Sequence, residues 1–515
     1  MDELVRQPRG RPGAVKAGRR EWVGLAVLAL PTLLVTMDLS VLFLAVPKLT
    51  RDLEPTSGEL IWITDVYGFL IAACLIVMGT LGDRIGRRRL LLIGAAAFAA
   101  ASLVAAFSAT AGMLIAARAG LGIAGATLAP SSLALIRSLF TDAAQRQTAI
   151  AIWVSCFAAG AAIGPVIGGA LLQQFWWGSV FLMNVPVMAL LLVLGPVLLP
   201  ESRDPNPGRL DLISAAVSLV AVLAVIYGVT RTAEHGPGLL AALAVLVGVV
   251  GGYAFLRRQT RLAYPLVNLA LFRSSMFVAA FAAMLASVFV VSGSDLFVAQ
   301  YLQLVHEIGP FVTGLWLLPE VIAMIIGAML APWVSRLISP GLVVAAGLGL
   351  AAVGLIVLAR LGPDSSLAVL VTGTALIGFG VGPVGALGTD IVVAAAPVER
   401  AGAASALSET ATELGGALGI AILGSVGTAV YRAAIDDGLP SGVPSQVADA
   451  ARDTLGGAVT AAAHLPGHVA GELLGSARVA FTEGLEVAVL VGAGVGAAMA
   501  LLAAFELRSA RLEPE

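Results

Sequence analysis

Fourteen long apolar runs constrain the fold of this chain more than any other feature of its sequence. Each run is close to or longer than the roughly 20 residues that an α-helix needs to cross the hydrocarbon core of a bilayer. Over all 515 residues, 59% are hydrophobic and 12% are charged, whereas soluble domains carry about 25% charged residues. The sequence therefore predicts an all-α integral membrane protein. The predicted spans are 22–46, 59–81, 90–108, 112–137, 146–173, 178–199, 210–232, 238–256, 275–305, 312–335, 341–361, 367–394, 401–431 and 481–506.

The basic residues predict which side of the membrane each end faces. An even number of spans puts both termini on one side, and most of the 30 lysines and arginines fall on that same side. Cytoplasmic loops carry such an excess of positive charge. We therefore expect both termini to be cytoplasmic. Only two of the 30 are lysines, and Ala, Gly and Val are abundant, which is typical of GC-rich bacteria and predicts a multi-pass protein of a bacterial cell membrane.

A short charged loop at residues 79–91 joins the second and third runs. It reads Gly-Thr-Leu-Gly-Asp-Arg-Ile-Gly-Arg-Arg-Arg-Leu-Leu. Arginines beside hydrocarbon mark a cytoplasmic loop, and glycines allow helix ends to pack closely. In a soluble protein the same stretch would be a solvated turn, but apolar runs flank it here. The loop resembles the one between helices 2 and 3 of the major facilitator superfamily, and the match includes Gly79, Asp83, Arg84, Gly86 and Arg87.

The resemblance implies a major facilitator fold of two six-helix halves. Fourteen spans resemble the drug:proton antiporter branch, which inserts two further helices between the halves. The linkers around 200–208 and 257–272 are rich in proline and charge, as such junctions are. The predicted organisation is a basic cytoplasmic segment 1–21, an N-terminal half 22–199, two inserted helices with linkers 200–272, a C-terminal half 273–506 and a cytoplasmic tail 507–515.

One predicted outer segment, 432–480, is too long for a simple turn. Small apolar residues recur at helical spacing in 443–463 and again in 469–481, and Pro466-Gly467 separates the two stretches. This pattern predicts a helical hairpin that lies on the outer face or dips into it. A mobile loop is the alternative, and the sequence favours neither.

Glycines four residues apart predict close helix packing in the fifth run. Gly160, Gly164 and Gly168 fall on one helix face, where missing side chains let a neighbouring backbone approach, and Pro165 adds a kink or hinge. The Gly-Pro followed by Gly-Gly resembles the antiporter motif of proton-driven exporters, which implies export rather than import. A comparable patch, Gly415-Gly416 with Gly419, occurs in the thirteenth run.

An arginine, Arg118, lies inside the fourth run. Its surroundings at 114–122 resemble the helix-4 motif of the same family, and the resemblance implies a role in proton coupling. A structural ion pair with a carboxylate is the alternative reading.

Carboxylic acids inside the spans are the main functional candidates. A charge at the centre of a membrane helix costs roughly 2.5–3.5 kcal/mol on insertion scales, so ionisable residues there are rare and usually functional. We predict that these acids bind protons or cations. Five lie well inside spans: Asp38, Asp65, Glu320, Glu409 and Glu413. Asp295 and Asp390 lie nearer helix ends, where a structural role is an equal expectation.

The acids must be neutralised by a proton, by water in a cavity or by a cationic ligand, because burial favours the neutral form of a carboxyl group. The four histidines fall in loops or at helix ends, so carboxyl groups are the predicted proton carriers. A hydrophobic cation would need apolar walls, for which Met37, Trp153, Trp316 and Phe379 are candidates, although each is more often a packing residue. Competition of proton and cation for the same acids would permit antiport.

Three stretches resemble the multidrug exporters of ethidium and quaternary ammonium antiseptics. They are Met37-Asp38 with its neighbours, the Trp-x-x-Asp-x-Tyr that contains Asp65, and the Ser-Glu-Thr-Ala-x-Glu-Leu-Gly that contains Glu409 and Glu413. The resemblance implies that the five deep acids take part in protonation or cation binding, least securely for Glu320. It also implies a proton-coupled multidrug antiporter for hydrophobic mono- and divalent cations, including ethidium, quaternary ammonium compounds and biguanide-like antiseptics. A narrower exporter of an endogenous antibiotic or lipid-like metabolite is the alternative.

Other functional classes find less support in the sequence. It contains no P-loop, no zinc-spaced His/Glu set and no Gly-x-Ser-x-Gly motif, which argues against a membrane-embedded enzyme. A non-transporting sensor is disfavoured by the intact loop and fifth-run motifs. We expect no metal and no cofactor, with the proton motive force as the energy source. The expected partners are cationic small molecules, protons and lipid, without nucleic acid, and the expected state is a monomer.

Overall fold

The computed structural model describes residues 16–203, 211–262, 265, 267, 269–394, 401–440 and 443–507. Most of the predicted N-terminal segment, the centre of the 200–208 linker, parts of the 257–272 linker and nearly all of the predicted tail lie outside the described residues. Fourteen segments of the described chain are long and apolar enough to cross a membrane. The predicted number of spans and the all-α class are therefore confirmed.

The helices of the first half and the inserted pair begin and end close to the predicted bounds. They are α1 (Arg19–Leu53), α2 (Ser57–Ile85), α3 (Arg87–Ala106), α4 (Ala111–Leu139), α5 (Ala143–Gln174), α6 (Ser179–Leu182), α7 (Asn184–Leu198), α8 (Leu212–His235) and α9 (Leu239–Gln259). The short α6 and α7 together form the sixth span.

The remaining helices form the second half, including the segment 432–480. They are α10 (Ser275–Gln300), α11 (Pro310–Val334), α12 (Pro340–Leu358), α13 (Leu367–Ala394), α14 (Ala401–Gly438), α15 (Ser445–Asp453), α16 (Leu455–Ala462) and α17 (Gly467–Glu506). A π-helical turn, Tyr301–Val305, extends α10.

The predicted glycine face of α5 packs directly against α1. A Cβ atom at Gly164 would lie 3.2 Å from the Met37 Cα atom, and one at Gly168 would lie 2.6 Å from a Val41 methyl group. In the second half, α14 packs on α10 in the same way, since a Cβ at Gly419 would lie 2.9 Å from the Phe289 carbonyl carbon. Both glycine patches therefore allow close backbone approach within one set of helices.

Two seams join the first six spans to the last six. In one, the C-terminal half of α5 meets the start of α11, where a Cβ at Gly314 would lie 2.7 Å from the Pro165 carbonyl carbon. In the other, α2 meets α14, with Gly68 against Ala417 and Ile61 against Gly424. Both seams involve the ends of α2 and α11 that lie on the side of the protein where α1 ends. The structure is therefore closed on that side.

The inserted helix α8 packs against both α2 and α14. Ile226 is buried with Phe69 of α2 and with Ala417 and Ala421 of α14. Its partner α9 packs on α8 and presents most of its apolar side chains outward. The inserted pair thus covers the α2–α14 seam rather than standing apart from the two halves.

The segment 432–480 is helical but is not a separate hairpin. The first predicted arm consists of the two short helices α15 and α16, and the second is the beginning of the 40-residue α17. The Tyr431 hydroxyl donates a 2.6 Å hydrogen bond to the Ala451 carbonyl, and Arg432 and Arg452 pair with Asp453 and Asp436. These contacts fix α15 to the end of α14. The helix α16 reaches α1, where a Cβ at Gly456 would lie 3.1 Å from the Thr50 Cβ atom.

Candidate functional site

A buried ion pair between α4 and α1 is the centre of the site. The Arg118 Nη1 atom donates to the Asp38 Oδ2 atom at 2.8 Å, and neither side chain is more than 1% exposed. The Arg118 guanidinium also donates to the backbone carbonyls of Ile63 at 2.8 Å and Thr64 at 3.3 Å. These three hydrogen bonds connect α4 to both α1 and α2. In this structure the Asp38 carboxylate is therefore engaged in an ion pair and is not available to a ligand.

Two further side chains complete the environment of this pair. The Asn184 amide of α7 donates to the other Asp38 oxygen, Oδ1, at 3.2 Å. The Tyr67 ring lies beneath the Arg118 guanidinium, 4.9 Å from its centroid, a distance typical of a cation–π contact. Four helices thus contribute to one buried polar cluster, which we call the Arg118 cluster: Asp38, Tyr67, Arg118 and Asn184.

Asp65 lies in α2 one residue beyond the Thr64 carbonyl that Arg118 binds. Its side chain is buried, and neither carboxyl oxygen has a hydrogen-bond partner among the described residues. A buried charge without partners is very unfavourable. The arrangement therefore favours a protonated Asp65 in this conformation.

In the second half, the carboxyl groups of Asp295 of α10 and Glu320 of α11 lie close enough to share a hydrogen bond, while Asp295 Oδ1 and Glu320 Oε1 have no partner among the described residues. A carboxylate can only accept, so two carboxyl groups can share a hydrogen bond only when one of them carries a proton. Glu320 is buried and its backbone packs closely on Gly378 of α13. We call Asp295 and Glu320 the carboxyl pair. From the sequence, an interfacial or structural role and a ligand-binding role were equally expected for Asp295. The structure places its side chain beside Glu320.

The two acids of α14 differ in exposure. Glu409 is exposed, whereas Glu413, one turn further along, is half-buried. Glu413 interacts electrostatically with the Tyr67 hydroxyl, and so do Asp38 and Arg118. Glu413 therefore lies within electrostatic range of the Arg118 cluster, from a helix of the other half. Asp390 is exposed near the end of α13.

The predicted wall residues fall into two sets. Met37 and Trp153 are buried in packing contacts, and the Trp153 ring contacts the Phe157 ring edge-on at 5.0 Å between centroids. They are therefore not open to a ligand in this conformation. Trp316 is half-buried and Phe379 is 37% exposed, so these two are accessible surfaces on α11 and α13.

The charged loop folds into a tight connection between α2 and α3. Asp83 pairs with Arg87 one turn later, and Gly86 has a φ of +111°, a conformation that side chains other than glycine rarely adopt. Arg84 is exposed but bonded, and a Cβ at Gly79 would just touch Pro130 of α4. The Arg87 N–H donates to the Ser202 carbonyl at 2.9 Å, which ties the loop to the chain that follows α7.

Sequence reasoning missed Asn184, Tyr67 and the Asp295–Glu320 contact. Asn184 was detectable, because a lone amide within an otherwise apolar run must find a hydrogen-bond partner. The contact was not detectable, because spacing along two separate helices does not say which faces meet. In the described part of the chain, no three His, Cys, Asp or Glu side chains cluster as a metal site would require.

Fourteen spans, seams between the first and last six of them, and buried ionisable groups on both sides of those seams define a multi-pass membrane transporter. The chain belongs to the Major Facilitator Superfamily, whose family model matches residues 28–420. It is a transporter and not an enzyme.

Comparison with known proteins identifies similar transporters. The chain is 43% identical to the multidrug efflux pump LfrA of Mycolicibacterium smegmatis, over 96% of this chain and 97% of that protein. It is 34% identical to the methyl viologen resistance protein SmvA of Salmonella typhimurium, over 81% and 84% respectively. Its fold is similar to the crystal structure of a bacterial homologue of the human lysosomal transporter Spinster, with a TM-score of 0.70 at 17% identity, covering 97% of this chain and all of that one.

Proposed function

We propose that this protein is a proton-coupled multidrug efflux antiporter that exports hydrophobic mono- and divalent cations. The observation that carries the proposal is the excess of acids over cations within the spans. Arg118 neutralises Asp38, and it is the one cation that the sequence puts far from the ends of a span. Asp65, Glu413 and the carboxyl pair are left to bind protons or a cationic ligand.

The carboxyl pair supplies the exchange chemistry. With one proton, Asp295 and Glu320 share a hydrogen bond and carry a single negative charge between them. When a cation approaches, its charge substitutes for the proton and releases it. Because cation and proton then compete for one group, each lowers the affinity for the other by the same factor.

The Arg118 cluster supplies the coupling between ion binding and helix position. Arg118 bonds to α1 through Asp38 and to α2 through two carbonyls. Protonation of Asp38 would weaken the first bond and let Arg118 turn toward Asp65, which lies beside the second. A proton on one acid would thereby change the contact of α4 with α1.

Alternating access would use the two seams. They close the side on which α1 ends, so the opposite side would have to close when they open, as two halves rock about a central site. With cytoplasmic termini, the closed side is the outer one. The membrane potential would contribute about 2.3 kcal/mol per charge for each 100 mV, in addition to the pH gradient.

The substrate class follows from the acids and from the relatives. LfrA is a multidrug efflux pump and SmvA confers resistance to methyl viologen, a bipyridinium dication. We extend this to ethidium, quaternary ammonium compounds and biguanide-like antiseptics, which combine delocalised or shielded positive charge with an apolar surface. The accessible rings of Trp316 and Phe379 suit such ligands.

The test is substrate efflux in energised inverted vesicles that contain the full-length protein. We expect ethidium and methyl viologen uptake to require an imposed pH gradient, and to be lost or sharply reduced in Asp65→Asn, Glu320→Gln and Glu413→Gln. Transport that continues without any proton gradient would refute the coupling. Transport of neutral polyketide-like compounds with no cation transport would favour the narrower exporter of an endogenous metabolite.

A further inference from the structure

A polar cleft lies where four helix ends meet, far from the Arg118 cluster. It is lined at the start of α1 by Arg20 and Glu21, at the start of α3 by Arg88, at the end of α4 by Ser138 and Leu139, and at the end of α7 by 196–200. Its volume is about 400 Å³, within the roughly 300–1,000 Å³ typical of small-ligand sites. The proposed function makes no use of it.

The two arginines are held in place by the end of α7. The Arg20 Nη2 atom donates to the Val197 carbonyl at 2.5 Å, and the Arg88 Nη1 atom donates to the carbonyls of Leu199 at 2.9 Å and Pro196 at 3.3 Å. A guanidinium has five N–H donors, so these bonds fix each side chain while leaving donors on both for a ligand. Preorganised arginines of this kind suit phosphate groups.

The charges around the cleft favour a monoanion. Two arginines and one acid, Glu21, line it, and the Glu21 carboxylate already accepts a 2.7 Å hydrogen bond from the Gly18 N–H. Glu201 lies outside the lining, where it pairs with the Arg88 Nε atom at 3.8 Å and accepts a 3.1 Å hydrogen bond from the Arg88 backbone N–H. The side chains that line the cleft carry one net positive charge, and Glu201 shares Arg88 from outside the cleft.

The cleft opens beside an apolar surface that faces lipid. Val193 and Val197 of α7 are 69% and 63% exposed, and Val23 of α1 and Ile93 of α3 are also exposed. These residues continue along the spans from the arginines at the helix ends. A ligand with a phosphate head and acyl chains would match both surfaces at once, whereas a free phosphate would use only the arginines.

We propose that this cleft binds the phosphate headgroup of an anionic membrane phospholipid, with its acyl chains along the exposed faces of α3 and α7. The lipid would link the ends of α1, α3 and α7. Its phosphate would accept hydrogen bonds from Arg20 and Arg88, next to the charged loop that leads into α3.

The test measures lipid binding to delipidated full-length protein by native mass spectrometry. The probes are phosphatidylglycerol, zwitterionic phosphatidylcholine and soluble glycerol 3-phosphate. We expect phosphatidylglycerol to bind most tightly, and Arg20→Gln or Arg88→Gln to weaken it about tenfold, as the loss of one charge-assisted hydrogen bond predicts. Arg19→Gln is the matched control, because Arg19 is exposed next to Arg20 but does not line the cleft.

Glu21→Gln is a variant for which we expect the opposite effect on lipid affinity. The amide oxygen can still accept from Gly18, but the negative charge is gone, so we expect tighter phosphatidylglycerol binding. Equal weakening by Arg19→Gln and Arg20→Gln would overturn the site in favour of general surface attraction. Equal affinity for phosphatidylcholine would overturn the requirement for an anion, and equal affinity for glycerol 3-phosphate would make a free phosphate ester the ligand. None of these results depends on transport.

Discussion

Arg118 and Asp38 are 80 residues apart in the sequence, yet their side chains meet at 2.8 Å with almost no exposure to solvent. Asn184 donates to the second oxygen of Asp38, and two carbonyls of α2 accept from the Nε and Nη2 atoms of Arg118. A buried, hydrogen-bonded pair is tolerated, but each partner alone would be an uncompensated charge. This relationship leads to the first prediction.

Removing one member of the pair should destabilise the protein more than removing both. We expect Arg118→Met or Asp38→Leu to lower the free energy of unfolding by about 3–5 kcal/mol, and the double variant to recover much of that loss. Thermal unfolding in detergent, followed by size-exclusion chromatography, measures the effect. Additive losses in the double variant would contradict a direct pairing.

Glu320→Gln should reduce the proton release that accompanies cation binding. The glutamine amide can donate to Asp295 and keep the shared hydrogen bond, but it cannot give up a proton. We expect wild-type protein to acidify weakly buffered solution when ethidium or methyl viologen binds, and the variant to acidify it less. A pH-sensitive dye gives the measurement, and Glu506→Gln near the end of α17 is the control. Unchanged proton release would exclude the carboxyl pair as the exchange site.

Stability should fall in acid because an ion pair between the inserted helices is lost when its carboxyl group is protonated. Asp211 caps α8 and binds Arg258 of α9 at 2.9 Å, and these bonds lower the pKa of the Asp211 carboxyl group to about 2. Because the unfolded chain has a pKa of about 3.9, this stabilisation is complete above about pH 4 and is lost as the pH falls towards 2. Asp211→Asn should lower the melting temperature at pH 7 and leave a smaller difference from wild type near pH 3. A constant difference at both values would contradict the assignment.

The α5–α11 seam should not tolerate a larger residue at Gly314. A Cβ there would lie 2.7 Å from the Pro165 carbonyl carbon, so Gly314→Ala should cost about 1–3 kcal/mol in the conformation seen here. Gly494→Ala is the matched control, because a Cβ at Gly494 meets nothing within 4 Å. We expect lower thermal stability and impaired transport for the first variant only. Equal behaviour of the two would show that the seam can relax.

A disulfide between α16 and α1 should stop transport reversibly. The Cβ positions of Gly456 and Thr50 are 3.1 Å apart, so a separation of a few tenths of an ångström would bring them to the roughly 3.5–4.5 Å of a disulfide. In a variant with the native Cys74 and Cys156 replaced, we expect Thr50→Cys with Gly456→Cys to crosslink under oxidant and to lose efflux until a reductant is added. Full efflux by the crosslinked protein would mean that α16 stays on α1 throughout the cycle.

Sequence reasoning reached the number of spans and the α5 glycine face, because each depends on local composition and spacing, but it left 443–463 open between a helical hairpin and a mobile loop. It could not choose the partner of Arg118, since several acids were available on different helices. It judged Asp295 by its position along one span, whereas its environment depends on which face of α11 lies opposite. It also separated 469–481 from the last span, because nothing in a uniform run of small residues marks the membrane surface.

The 40 residues of α17 form one unbroken helix, about 60 Å long at 1.5 Å per residue and therefore about twice the thickness of the hydrocarbon layer. A helix of this length moves as a rigid rod. A tilt of about 10° about its middle would displace each end by about 5 Å, so a small movement of α17 within the bilayer would cause a larger displacement of the residues that contact its ends.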